Sequence, residues 1–194
     1  MTTLANAKSV ILVPPGTWAV DPTRSTVGFE VRHLKLMHVR GCFHVVTAVI
    51  SCDDEGAASI AASIRVASID SGDQRRDARL CAQDFFDAAH HPAISFAGES
   101  QPVPTGDALT VRGTMSMRGV SRPIELRAEP GGAHRGNGHV ALRVRAEGAL
   151  SRRDFGLDWD SAFAAGGLVI DDRVVLRLDV VLVRRADDQG FLRS

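Results

Sequence analysis

The chain has 194 residues, enough for one domain with a substantial core and not obviously divisible. Its 23 basic and 23 acidic residues cancel, which excludes the positive footprint behind non-specific association with nucleic acid. Cys42, Cys52 and Cys81 are odd in number, lack CxxC spacing and have no histidine at ligand intervals. Neither a disulfide framework nor a metal site is expected, and free thiols suit a reducing, cytoplasmic setting.

Residues 1–16 read as an extension. They carry no positive cluster at their start, and the apolar run at residues 10–13 is too short for the core of a signal peptide. No later stretch reaches the roughly 20 apolar residues of a membrane-spanning helix, so a soluble protein without stable membrane insertion is expected. From residue 17 onward the dominant signal is period-two alternation, the mark of strands with one wet and one dry face. Val27, Phe29 and Val31 alternate with Gly28, Glu30 and Arg32. After Asp53-Asp54-Glu55-Gly56, a turn, the pattern breaks at residues 71–92: Asp73 is placed to cap a helix running through Cys81, Asp84 to cap a second turn, and Pro92 to stop continuation. Alternation returns with Leu109, Val111, Gly113, Met115 and Met117, then with Ile124, Leu126 and Ala128. It continues with Val140, Leu142, Val144, Ala146, Gly148 and Leu150, and ends with Leu176, Leu178, Val180 and Leu182. Turn chemistry at Pro104-Thr105-Gly106-Asp107, Gly119 and Asn137-Gly138 separates the runs.

Short connections and one dry face per strand predict an antiparallel meander, and closing it into a barrel removes its edges. The barrel is expected over residues 17–185, with a tail at 186–194 and helical turns at about residues 73–90 across one end. Gly41, Gly98, Gly113 and Gly148 share the inward phase. They either leave room for a ligand or let strands coil, and periodicity does not separate a hollow barrel from a packed one.

No GxSxG elbow, phosphate-binding loop, HExxH helix or GxGxxG turn is present. The histidine pairs His33/His38 and His90/His91 do not present two imidazoles to one ion, so no metal and no cofactor are expected. Two clusters stand apart from the solvated faces: Arg75-Arg76-Asp77-Ala78-Arg79 and Ser151-Arg152-Arg153-Asp154-Phe155-Gly156. Local ion pairs Arg76–Asp77 and Arg152–Asp154 are one reading, and a clamp for an anionic head group is the other.

From about Trp18 to Arg184 a set of short motifs follows in order: Trp18-Ala19-Val20-Asp21-Pro22 with Ser25, Val27, Phe29, Val31 and His33; Gly41 with Phe43; Arg76-Asp77, Leu80, Asp84-Phe85-Phe86-Asp87 and Pro92-Ala93-Ile94-Ser95-Phe96; Gly113 and Gly119-Val120-Ser121-Arg122-Pro123-Ile124 with Leu126; and Arg152 with Asp154-Phe155-Gly156. In this order they resemble the YceI-like family of polyisoprenoid-binding proteins. The sequence departs from the family pattern at Arg24 and Arg79 (His), Cys81 (Arg), His91 (Tyr) and Ser151 (Asn). Several of these flank the barrel end. The resemblance implies an all-β, eight-stranded antiparallel lipocalin-like barrel holding a polyisoprenoid, an isoprenoid quinone or another long-chain amphiphile, often as a homodimer.

On that basis the expected function is non-catalytic binding, carriage or sequestration of a long-chain lipid. Phe29, Val31, Phe43, Val45, Ile94, Phe96, Val111, Met115, Leu142 and Val144 are expected to line its tail, and Arg76, Arg79 or Arg152 to meet its head group. Two alternatives stand beside it. One is an enzyme acting on a hydrophobic small molecule, with His33 or His91 as acid or base beside Asp77 or Asp154. The other is a packed structural barrel whose outer surface mediates association.

Overall fold

The computed structural model describes residues 13–33, 37–44, 46–101, 108–136, 139–158 and 170–184. Among these residues eleven strands and one α-helix follow in chain order: β1 (Gly16–Val20), β2 (Thr26–His33), β3 (Met37–Phe43), β4 (Val46–Cys52), β5 (Ala58–Arg65), β6 (Ile69–Asp70), α1 (Gln74–Cys81), β7 (Ala93–Ser100), β8 (Leu109–Met117), β9 (Val120–Gly136), β10 (His139–Ser151) and β11 (Ile170–Arg184). All pairings are antiparallel between sequence neighbours, apart from those made by three interrupted staves.

Each interruption has a local cause. Both β1 and β2 pair with β11, β1 at its far end and β2 along its first half. They form one stave broken by a 3-10 turn at Pro22–Arg24, where proline cannot donate to the ladder. The N–H of Val181 left facing that break donates to the Ser25 hydroxyl at 2.9 Å, and its carbonyl accepts from Asp21 N–H at 2.8 Å. Likewise β3 pairs with β2 and β4 with β1, so β3 and β4 are two halves of the next stave. The third combines β5 with the two-residue β6, which returns to β3. Counted as staves, the sheet is a closed eight-stranded antiparallel barrel, as expected, with β1 joining β11.

The pleat places side chains as the alternation predicts. Leu109, Val111, Met115 and Met117 of β8 are buried while Arg112 and Thr114 face out, and Ile124, Leu126 and Ala128 of β9 do the same. The outer face carries cross-strand charge pairs, among them Arg112–Glu125 at 2.9 Å and Arg143–Asp179 at 2.6 Å.

The two ends of the barrel are closed differently. At the end where β1 starts and β11 finishes, Trp18 is fully buried among Ile50, Cys52, Leu142 and Leu182, its indole N–H donating to the Pro14 carbonyl at 2.9 Å. At the other end lie the β2–β3 hairpin and α1. The helix begins where expected: Asp73 caps it by accepting from the N–H of Arg75 and Arg76 at 2.9 and 3.2 Å. Turns rather than a second helix follow, with the Asp84 carboxylate bound to Arg79 at 2.9 Å. Phe85 and Phe86 pin this segment. Their rings meet edge to face at 4.8 Å, and Phe86 continues through Phe43 (6.2 Å) to Phe29 (5.8 Å between Phe43 and Phe29) on the barrel wall.

Candidate functional site

Between the Trp18 cluster and α1 the interior is hollow, with a cavity of about 680 Å³. That volume falls within the ~300–1,000 Å³ typical of small-molecule sites. Eight of the residues assigned to a ligand tail from the sequence line it: Phe29, Val31, Phe43, Ile94, Phe96, Val111, Met115 and Val144. Leu142 does not. It lies nearer the closed end of β10, where it is 1% exposed and packs with Trp18 and Leu182. Val45 lies outside the described residues.

The inward glycines turn out to serve packing. A Cβ at Gly98 or Gly113 would come within 2.5 Å of Phe96 Cζ, and one at Gly41 would collide with the Phe29 ring. At Gly148 it would meet Leu126. Each glycine is the floor on which a neighbouring side chain lies, so the hollow comes from the barrel's girth and from lining residues such as Ala48, Ala62 and Ala146.

Among the described residues, every charged residue lining the cavity comes from one end. These are Arg32 at the end of β2, Asp73, Arg75, Arg76 and Arg79 on and before α1, and Arg152 at the end of β10. Arg32, Asp73, Arg75 and Arg79 are also exposed, so the cavity meets solvent here. The arginines differ in what holds them. Arg76 donates through Nε to the Ser71 hydroxyl (2.8 Å) and through Nη2 to the Ser71 carbonyl (2.6 Å), while Asp77 accepts from Ser71 N–H (2.9 Å) and hydroxyl (2.5 Å). The two residues meet at Ser71 instead of forming the expected pair. Arg79 Nη2 reaches Asp84. Arg152, 2% exposed, donates to the carbonyls of Leu157 (2.6 Å), Ile170 and Asp171 (3.2 Å each). Its guanidinium ties the residues after β10 to the start of β11, and it forms an ion pair with Asp158, at 3.8 Å, where one with Asp154 was expected. Sequence reasoning missed Arg32 and Arg75 as mouth residues. Arg32 lies in the outward phase of β2, one residue before the strand ends, and Arg75 belongs to the same charged cluster as Arg76 and Arg79.

His91, Asp77 and Asp154, considered for catalysis, are not gathered in the cavity. Neither His91 nor Asp77 lines it, and Asp154 is exposed beyond the end of β10. The His33 side chain lies outside the described residues. Among the described residues no histidine lines the cavity, and no group of three His, Cys, Asp or Glu side chains is placed to hold a metal.

A model of the YceI-like domain matches residues 18–182, most of the barrel and both of its ends. The chain belongs to the YceI-like family. Protein YceI of Escherichia coli O157:H7 is 27% identical over 143 residues, covering 69% of this chain and 71% of that protein. The Campylobacter jejuni YceI protein is 26% identical with a TM-score of 0.66, over 79% of this chain and 90% of its own. Two more distant structures share the fold. They are BcnA of Burkholderia cenocepacia (20% identity, TM-score 0.69, 84% and 98% covered) and a polyisoprenoid-binding domain from Saccharophagus degradans (16%, 0.63, 87% and 98%). In this YceI-like barrel Arg79 and Cys81 lie on α1 and Ser151 at the end of β10.

Proposed function

We propose that this YceI-like barrel binds a long-chain lipid, a polyisoprenoid or isoprenoid-quinone-like amphiphile, and carries or sequesters it without chemical change. The carrying observation is an apolar cavity of about 680 Å³ whose charged lining, among the described residues, is gathered at one solvent-exposed end and is mostly arginine. Phe29, Val31, Phe43, Ile94, Phe96, Val111, Met115 and Val144 face the tail. Each buried methylene is worth about 0.8 kcal/mol against water. A bilayer offers the same burial, so discrimination rests on cavity length and on the head group. Arg76 and Arg79, joined by Arg32 and Arg75, face that head group, where reduced solvation strengthens bidentate hydrogen bonds. The named binding activity of the Saccharophagus degradans domain supports the same reading. The free thiols fit a cytoplasmic setting and the family resemblance a homodimer.

Organic extraction of the purified protein, followed by mass spectrometry, tests the proposal. A stoichiometric long-chain lipid is expected. Delipidated, folded protein that takes up neither a polyprenol nor a polyprenyl phosphate would overturn it.

A further inference from the structure

A carrier must exchange its cargo with the membrane that holds it, and the open end of the barrel has the composition of a membrane-facing surface. We infer that this end docks on an anionic bilayer, with Arg32 and Arg75 meeting lipid phosphates and Met37 entering the interface. The inference rests on the lipid-carrying reading above.

Met37 is the first observation. It is 61% exposed, and among the described residues it is the exposed large hydrophobic side chain. It pairs with His33, the last pair of the β2–β3 ladder. It shares the pleat phase of Val39 and Phe43, which line the cavity, so it extends the apolar inner wall one step past the rim. Among the described residues Met37 belongs to neither apolar core cluster. It offers a continuous apolar path between a bilayer and the cavity.

Charge is the second. The chain is neutral overall, yet its cavity end gathers Arg32, Arg75, Arg76 and Arg79 beside one lining carboxylate. That carboxylate, Asp73, is engaged in capping α1, Asp84 holds Arg79, and Asp77 holds Ser71. Glu30, further along β2, is taken by Arg40, Arg177 and His38. Among the described residues Arg32 and Arg75 form no salt bridge, and both are exposed. They line one cavity from the β2 strand end and from α1, so a flat anionic surface across the mouth meets both. Arginine forks suit lipid phosphates, and a bilayer's negative potential favours each basic group near it.

Cosedimentation of the full chain with phosphatidylcholine vesicles, with and without phosphatidylglycerol, tests this. Binding is expected with the anionic vesicles and should weaken with salt as the charges are screened. Arg32→Gln and Arg75→Gln should each lower it about fivefold, the factor for the ~1 kcal/mol that one basic residue contributes at such a surface. Met37→Ser should lower it without changing the salt dependence, and Arg127→Gln on the outer wall should leave it unchanged. Equal binding to neutral vesicles, or variants at Arg32, Arg75 and Met37 that all bind like the parent, would overturn the inference. Uptake of phenylnaphthylamine from vesicle-free buffer, run on each variant, reads the cavity by itself. Intact uptake without vesicle binding rejects the docking surface and leaves lipid carriage standing, whereas absent uptake in folded parent protein strikes at carriage.

Discussion

Glu30 shows how a single side chain in this barrel is held by its surroundings. It points outward from β2 yet is only 8% exposed, because Arg40 on one neighbouring strand and Arg177 on the other close over it, with His38 Nδ1 at 2.5 Å. Hydrogen bonds from Arg40, then Arg177 and His38, hold its carboxyl down to about 2, against an ordinary 4.5. A carboxyl depressed in the folded state stabilises the fold above its unfolded pKa, and that contribution is lost as pH falls through the folded value. Stability should therefore decline between pH 4.5 and about 2. Melting curves across that window should show a shallower decline for Glu30→Gln than for the parent, from a lower starting point; equal slopes would show that the cluster is not linked to folding. Arg152 makes the complementary case at the buried end of the scale. Its motif could be read from the sequence, but not its role, because the three carbonyls it binds belong to residues some 5 to 19 positions away. Only the folded barrel, which sets the end of β10 beside the start of β11, brings them together.

Among the elements, strands with a clean pleat were the legible ones, since β2, β8, β9, β10 and β11 bury one phase against a common interior. The broken staves were not legible. Pro22 announces an interruption, but that β1 and β2 lie end to end on β11 is a consequence of barrel closure, which no local pattern encodes. The inward glycines were equally ambiguous, because whether Phe96 lies across Gly98 and Gly113 depends on the register of β7 with β8. The helix was legible to its capping residue, as Asp73 offers a side-chain acceptor to N–H groups that have no partner within the helix. Since α1 is only eight residues long, its cap carries a large share of its order. Asp73→Ala should cost about 1 kcal/mol of stability. It should also speed amide exchange in α1 while β8 and β9 stay protected. A uniform loss of protection would mean that α1 and the barrel unfold as one unit. Because Arg75, Arg76 and Arg79 are all carried on α1, the same substitution should loosen the mouth without touching the apolar wall.

At the scale of the whole molecule the asymmetry of the two ends gives the cavity a direction. Trp18 and its neighbours seal one end with apolar side chains, and arginines surround the other. On the proposed lipid-binding reading an amphiphile would enter tail first and leave its polar group among the arginines, since the reverse orientation would bury that group against Trp18 without partners. Substitutions that grow into the interior distinguish a hollow barrel from a packed one. In a close-packed core an added ring costs about 1–3 kcal/mol through strain. Here Ala62 on β5 and Val144 on β10 line open space, and both are only partly buried. Ala62→Phe and Val144→Phe should leave the melting temperature of the delipidated protein unchanged or raise it, because each ring gains apolar burial without displacing a neighbour. The same variants should carry less lipid after purification, and the pair combined should exclude the longest chains first while still admitting shorter ones. A loss of stability with lipid content retained would mean that the space about these two positions is part of the core, with the tail lying elsewhere in the barrel.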